Sequence, residues 1–229
     1  MSDRTVRFAG LYAMIAAGAA IVVTPLLALS YFGIADGASM LDQTTVSAWA
    51  DPASDRLSAL LTWSSPDRVY ATYIQLFALL FPAVFLCALA TRSRRVVSEG
   101  RLERWGWRIA LSGYGVGAVG FVAVAFLLIG ASPNGTAVNS VFLALMVPGM
   151  LLSLTGSTTL GIAFLRNRDA PRLTAWLLAL TVPFMIVGAG VLGHIGLGML
   201  PLFIEWGIAG RNLRQRRPAG AGALGTATT

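Results

Sequence analysis

Long stretches without a charged residue recur along this chain of 229 residues, and they restrict its fold more than any other feature. The first runs from Phe8 to Ala35, and another runs from Leu173 to Gly210 with Glu205 as its only charged side chain. A helix needs about 20 apolar residues to cross the hydrocarbon layer of a bilayer. The charged fraction of 12% is about half that of a soluble domain. These features predict an all-α, polytopic transmembrane helix bundle.

Hydropathy and charge divide the chain into six predicted spans. The stretch from residue 173 to 210 is too long for one crossing, and five glycines near its centre predict a hairpin turn. We predict one membrane domain over residues 1–217 and a disordered, Gly/Ala/Thr-rich tail over 218–229, on the cytoplasmic side. The spans are predicted at residues 8–32, 69–90, 109–129, 140–165, 173–191 and, as a short last helix, 196–210.

The arginines predict the orientation of this bundle. The chain has 17 arginines and no lysine, and 15 of the arginines lie in cytoplasmic segments if both termini are inside. This distribution obeys the positive-inside rule and requires an even number of crossings between the clusters. The use of arginine alone, with abundant alanine and glycine, is typical of a GC-rich bacterial genome, so we expect the bacterial inner membrane.

The net charge of +7 does not indicate a nucleic-acid-binding protein. The arginines lie in four short clusters, each at the edge of an apolar stretch, instead of on one basic surface. In such positions they set the topology and contact anionic lipid headgroups. We therefore predict the lipid bilayer as the main partner and no nucleic acid.

The longest polar connection, residues 33–68, carries five aspartates and is predicted to lie outside the membrane. Within it, Asp51 followed by Pro52 is typical of a helix start, with an Asp N-cap and proline at the first helical position. Leu57, Leu60 and Leu61 would then share one side of the helix. We predict a short amphipathic helix here, on the membrane surface or over the bundle. The alternative is a partly ordered loop.

Small residues form two ridges along predicted spans. In the fourth span they recur every four residues, and two more lie four apart in the third span: Gly149, Ser153, Ser157, Gly161, Gly113 and Gly117. Such ridges let helices approach closely, which matters in lipid because packing must supply the attraction. We expect them to pack spans of one bundle together, and a homodimer or partner seam is the alternative.

Three polar residues in the apolar part of the chain are candidates for a site. Glu205 is the only acid inside a predicted span, and a buried acid at membrane depth is by default a functional candidate. Pairing with Arg211, six residues later, or with a neighbouring loop arginine is the structural alternative, which we favour. Gln75 in the second span can hydrogen-bond across helices or to a substrate. His194 is expected to be an exposed residue of the outer hairpin.

No cofactor or metal is predicted. One histidine, His194, and one cysteine, Cys87, are too few for a zinc site or a bis-histidine haem. A His–Met haem with Met199 or Met185 has little support. Cys87 lies in an apolar run and is expected to act as a small apolar residue.

Catalytic motifs are missing from the sequence: there is no HExxH, GxSxG, Walker A or intramembrane aspartate pair. We therefore predict a non-enzymatic membrane protein that acts through helix packing with a partner or with itself. The alternative is a small secondary transporter or channel that uses Glu205, Gln75 and four proline-broken spans, with prolines at Pro25, Pro82, Pro148 and Pro183. A lipid-modifying enzyme that uses the outer aspartates ranks last, because their spacing shows no acid–base or metal pattern.

Overall fold

The computed structural model describes residues 1–95, 100–129, 135–167 and 171–215, which form helices with no β-strand among them. The predicted disordered tail, residues 218–229, lies outside these residues. The helices are α1 (Asp3–Phe32), α2 (Ala35–Ala38), α3 (Thr44–Arg56), α4 (Ser58–Leu61), α5 (Pro66–Ala78), α6 (Phe81–Ser93), α7 (Arg101–Leu127), α8 (Thr136–Val141), α9 (Val147–Asn167), α10 (Arg172–Ala179), α11 (Thr181–Gly190) and α12 (Ile195–Gln215), with a 3₁₀ turn at Ser39–Asp42 and a π-helical turn at Phe142–Met146.

Four helical segments among the described residues are long and apolar enough to cross a membrane: Asp3–Phe32, Pro66–Ser93, Arg101–Leu127 and Thr136–Asn167. The pair α10 and α11, bent by 51°, makes a fifth if the two helices count as one span. The protein is therefore all-helical over the described residues, with apolar helices compatible with an integral membrane protein.

Two helices are longer than the sequence predicted. The third span was predicted to begin near residue 109, but α7 begins at Arg101, because Gly106 and Trp107 are buried in the bundle and extend its packed face. The last helix was predicted to be short, but α12 has 21 residues. Its extension to Gln215 packs on α1, where the Arg214 side chain lies beside Gly10.

Helices α1 and α12 form an antiparallel pair in close contact. A Cβ atom on Gly10 would lie 2.6 Å from the carbonyl oxygen of Gly210, so only glycine allows this approach. Four contacts follow the pair from one end to the other: Gly10 with Gly210, Ala17 with Gly207, Thr24 with Gly196, and Tyr31 with His194. Helix α12 therefore runs alongside most of the length of α1.

The small-residue ridges lie inside the bundle. On α9, Gly149 lies against α7, where an added Cβ would come within 2.6 Å of the Gly117 nitrogen, and Ser153 lies against Gly113. Ser157 is fully buried and faces the same helix. At the end of the ridge, Gly161 meets the backbone of Ala179 on α10. The ridges thus join α9 to α7 and α10 within one chain.

Helix breaks occur near two of the four prolines, and hydroxyl groups hydrogen-bond to backbone carbonyls there, whereas α1 continues unbroken through Pro25, contrary to the prediction. Helices α5 and α6 are separated at Leu79 and Leu80, just before Pro82, and the Tyr12 hydroxyl donates to the Leu79 carbonyl there. At the bend between α10 and α11, the Thr181 hydroxyl donates to the Leu178 carbonyl at 2.7 Å. These hydroxyls supply hydrogen bonds that a membrane interior lacks.

The first long connection folds over one end of the bundle. Its main helix begins at Thr44, so the predicted start at Asp51 and Pro52 is wrong, and Pro52 lies inside α3. The reason is tertiary, because Val46 and Ala50 of α3 pack in a cluster with Phe32. Opposite Val46 lies Gly193, whose φ of +76° is a left-handed conformation that suits glycine.

Candidate functional site

One end of the bundle gathers segments from all four arginine clusters. Arg94 forms an ion pair with Asp3, which joins the end of α6 to the start of α1. The Arg95 guanidinium carbon lies 4.8 Å from the centre of the Phe164 ring near the end of α9. The Arg214 side chain of α12 lies beside Gly10. We call this the arginine-rich end: the start of α1, the end of α6, the start of α7, and the ends of α9 and α12.

Glu205 lies at the midpoint of α12 and is only 1% exposed. Its face of the helix includes Gly198 and Leu202, seven and three residues earlier. Gly198 packs closely on α11, where an added Cβ would lie 2.7 Å from the Met185 Cα. The carboxyl group is therefore inside the bundle, on the side of α12 that meets the broken helix pair.

Neither carboxyl oxygen of Glu205 has a hydrogen-bond partner among the described residues. The favoured pairing with Arg211 is wrong, because Arg211 is exposed and no described ion pair reaches Glu205. Helix geometry explains this, since six residues separate the two side chains by roughly 9 Å along the axis and about 120° around it. The Glu205 carboxyl points inward while Arg211 points outward.

Hydrogen-bond donors beside Glu205 are directed at other acceptors. Trp206 Nε1 donates to the Tyr114 hydroxyl at 3.3 Å, and the Tyr114 and Ser157 hydroxyls are 2.6 Å apart. Ser157 donates its single hydrogen to the Ser153 carbonyl at 2.6 Å, so Tyr114 must donate to Ser157. The Cys87 thiol donates to the Trp206 carbonyl at 3.4 Å.

This arrangement favours a neutral carboxyl group. A carboxylate anion only accepts hydrogen bonds. Burying an isolated ion without donors or a counter-charge costs on the order of several kcal/mol. A protonated Glu205 avoids that cost and carries its own donor. The site can therefore hold one proton on a single side chain inside the bundle.

A second buried carboxyl group belongs to Glu103, the third residue of α7, which is also 1% exposed. Its Oε1 lies 2.8 Å from an Arg95 guanidinium nitrogen and accepts from Trp107 Nε1 at 3.2 Å. These partners support a carboxylate anion. The pair lies at the arginine-rich end, and Trp107 continues from it toward Trp206, with ring centres 6.3 Å apart.

The other two predicted site residues lie away from Glu205. Gln75 of α5 donates from Nε2 to the Ala125 carbonyl of α7 at 3.1 Å, which is a bond between helices. His194 lies in the turn before α12, but it is partly buried instead of exposed. Its Nδ1 accepts from the Gly196 nitrogen at 3.0 Å and so caps α12.

The surroundings of His194 disfavour its charged form. Its ring lies 5.3 Å from the Tyr31 ring, centre to centre, at the end opposite the arginine-rich end. Burial lowers the pKa of His194 to about 4.

The described residues contain no group of three or more His, Cys, Asp or Glu side chains placed to hold a metal ion.

Several members of the Glu205 surroundings were not predicted: Glu103, Arg95, Trp107, Tyr114, Trp206 and the contact of Cys87 with Trp206. One signal was present, because Glu103 and Trp107 are four residues apart and share a helix face. This spacing matters only because residues 101–108 belong to α7, which the predicted start of the third span near residue 109 leaves out.

Comparisons with known protein families, with curated proteins and with solved structures find no match for this chain. The function is therefore inferred from the chemistry of the buried groups.

Proposed function

We propose that this chain is a six-span protein of the bacterial inner membrane, with both termini in the cytoplasm, that carries protons across the bilayer. Glu205 is the proton-binding group in this proposal. The protein acts as a small transporter instead of an enzyme, and the arginine-rich end faces the cytoplasm, where arginines contact anionic headgroups.

The six-span topology is supported by the pairing of α1 with α12. Contacts between them extend from Gly10 and Gly210 at the arginine-rich end to Tyr31 and His194 at the other end. If α1 crosses the bilayer, α12 crosses beside it, and its 21 residues measure about 31 Å. With the bent pair α10–α11 as the fifth span, this gives six crossings and puts all arginine clusters on one side.

The observation that carries the proposed function is the partnerless carboxyl group of Glu205, buried halfway along a helix. A structural acid at this depth is expected to have a cation or several donors, because it is otherwise costly. Glu205 has neither among the described residues. A carboxyl group that holds its proton while buried has a reason to lack such partners, since a fixed cation beside it would favour its ionised form.

The broken helix pair α10–α11 does not bind the proton in this proposal, but its bend would allow these helices to move near Glu205. The bend at Leu180 lies between α10 and α11, and α11 packs on the Glu205 face of α12 through Met185 and Gly198. A shift of this helix pair would admit water to the carboxyl group, which would then release its proton. Gln75 belongs to helix packing in this proposal.

Proton flux in reconstituted liposomes tests the proposal. Purified protein is placed in potassium-loaded vesicles with a pH-sensitive dye, and valinomycin imposes a membrane potential that drives protons inward. We expect uptake with the native chain, background uptake with Glu205→Gln, and partial uptake with Glu205→Asp, which keeps a carboxyl group. Gln75→Leu is the matched control inside the membrane and should retain flux. Equal uptake by the native chain and Glu205→Gln would exclude Glu205 as the carrier.

Assembly through helix packing is the second candidate function, and one observation favours it. In the span Thr136–Asn167 only 22% of the most apolar stretch is buried, against 44–50% in the other three candidate spans. Because the small-residue ridge faces inward, a dimer seam would use the outer face, which includes Leu151 and Ile162. Cross-linking in native membranes tests this candidate, and a chain that is monomeric there speaks against it.

A further inference from the structure

The Arg95–Glu103 pair is enclosed at the arginine-rich end of the bundle. Glu103 is nearly inaccessible, and Arg95 bridges it to the Phe164 ring of α9. One carboxyl oxygen of Glu103, Oε1, receives both the Arg95 guanidinium and the Trp107 indole. The other oxygen, Oε2, is buried and has no hydrogen-bond partner among the described residues. Glu103 is thus anchored through one oxygen and can accept a proton on the other.

Glu103 lies between Glu205 and the arginine-rich surface. Trp206, next to Glu205, contacts both Trp107 and Tyr114 of α7, with ring-centre distances of 6.3 and 5.7 Å. The depth of Glu205 therefore corresponds to the part of α7 between these two residues. From there to Glu103 is about seven residues of helix, or roughly 10 Å.

Helix α6 contributes polar groups along the same interval. The Cys87 thiol contacts the Trp206 carbonyl, and Thr91 lies one turn nearer the arginine-rich end on the same face of α6. The Thr91 hydroxyl is buried beside the Cys87 thiol of its own helix and has no hydrogen-bond partner on the other helices among the described residues. The interval between the two carboxyl groups is therefore bordered by a hydroxyl that is available to a proton-carrying water molecule.

We infer that Glu103 is the second proton-carrying carboxyl group of this protein, through which protons pass between Glu205 and the arginine-rich side, and that Arg95 is its positioning residue. This inference rests on the proposed function of Glu205. In the transfer, the O–H bond of neutral Glu205 breaks and an O–H bond forms on Oε2 of Glu103. Glu205 becomes the anion and Glu103 the neutral acid. Arg95 keeps its charge, and release of the proton to water restores the ion pair.

The transfer covers a gap wider than one hydrogen bond, which is about 3 Å. It therefore uses a short chain of water molecules, with the Thr91 hydroxyl as one donor and acceptor. A buried ion pair can also be purely structural, and replacing such a pair with apolar residues often leaves stability unchanged. An apolar pair at these positions therefore distinguishes a structural role of the ion pair from a proton-carrying role of Glu103, because it preserves the fold and removes the carboxyl group.

The experiment compares four variants in the liposome assay for proton uptake: Glu205→Gln, the double variant Arg95→Met with Glu103→Met, Glu103→Asp and Asp3→Asn. Asp3 is the matched control, because it forms an exposed ion pair with Arg94 at the same end. Each protein is first checked for a single peak in size-exclusion chromatography and for its melting temperature.

We expect the double variant to fold and to lose proton uptake by roughly ten-fold or more, as for removal of other proton-transferring side chains. Glu103→Asp should recover much of the uptake, and Asp3→Asn should match the native chain. If Glu205→Gln is inactive while the double variant transports normally, Glu103 is structural and only the proposed role of Glu205 stands. If both transport normally, the proposed function fails as well.

If the double variant does not fold, the inference is tested by comparing Glu103→Gln with Glu103→Asp. Both preserve the size of the side chain approximately, but only aspartate carries a proton. Uptake that survives in Glu103→Gln overturns the inference, and uptake that survives only in Glu103→Asp supports it.

Discussion

Glu103 and Glu205 are both 1% exposed, but their surroundings differ in every respect that matters to a carboxyl group. Glu103 lies at the arginine-rich end, where Arg95 and Trp107 both bind its Oε1. Glu205 lies halfway along α12, where neither oxygen has a partner among the described residues. The first carboxyl group therefore has a counter-charge and a hydrogen-bond donor, and the second has neither among the described residues.

This difference also determines how each carboxyl group affects the stability of the bundle. A buried ion pair holds α7 to the end of α6 and, through the Arg95–Phe164 contact, to α9. Removing one partner from such a pair leaves an uncompensated charge. Removing a partnerless carboxyl group leaves nothing behind that needs compensation. The two residues should therefore respond in opposite directions to the same substitution.

The largest effect is expected from Glu103→Met. It leaves the Arg95 guanidinium partly buried without its carboxylate, which should lower the free energy of unfolding by about 3–5 kcal/mol. Unfolding of the purified protein by sodium dodecyl sulfate in mixed micelles, followed by circular dichroism, measures this change. Asp3→Asn, at an exposed pair of the same end, should change stability little. A native-like Glu103→Met would mean that the ion pair contributes nothing.

Glu205→Met should have a smaller effect of opposite sign. It replaces an unsatisfied buried polar group with an apolar one of similar length, which should raise the free energy of unfolding by about 1–3 kcal/mol. The same unfolding assay applies. Glu205→Gln serves as the control, because its amide is equally unsatisfied and should give little gain. Strong destabilisation by Glu205→Met would reveal a partner for the carboxyl group and end the comparison.

His194 provides a prediction of a different kind, which concerns the dependence of stability on pH. Its pKa falls from 6.5 to about 4 on folding, so the unfolded chain binds more protons between these values. Stability should therefore fall as the pH decreases from about 6.5 to about 4 and level off below that range. Melting temperatures across this range measure the effect, and His194→Asn, which keeps a helix-capping acceptor, should remove this contribution. An unchanged slope in His194→Asn would assign the pH dependence to other groups.

The helical, membrane-compatible character of the chain could be predicted from its sequence because lipid imposes a simple rule. A helix that crosses hydrocarbon must be apolar for about 20 residues, and the long apolar stretches around Val22, Val84 and Val124 predict such helices. The ends of α7 and α12 were harder to predict. Both helices extend beyond the apolar stretches, and tertiary contacts involve their extra turns: Trp107 of α7 is fully buried, and Arg214 of α12 lies beside Gly10.

The site could be predicted only in part. Glu205 was identified because an acid in an apolar stretch is rare, but its partner was assigned from sequence distance to Arg211. Distance along the chain says nothing about which way two side chains point, and α12 turns them apart. The Arg95–Glu103 pair could not be predicted, because residues 96–99 intervene and nothing local specifies that the chain returns there. His194 lies in a turn as its sequence position predicts, but the Tyr31 ring of α1 packs against it and buries part of it, which no local pattern indicates.

Infrared spectroscopy of the protein in lipid tests most directly whether Glu205 is an exchangeable neutral acid. At neutral pH, the native chain should show a carboxylic-acid C=O stretching band that shifts in D₂O as the acidic proton exchanges. We predict that Glu205→Gln removes this band and that Glu103→Gln leaves it in place. A native spectrum without the band, or a band that persists in Glu205→Gln, would contradict the assignment of the membrane-embedded proton site to Glu205.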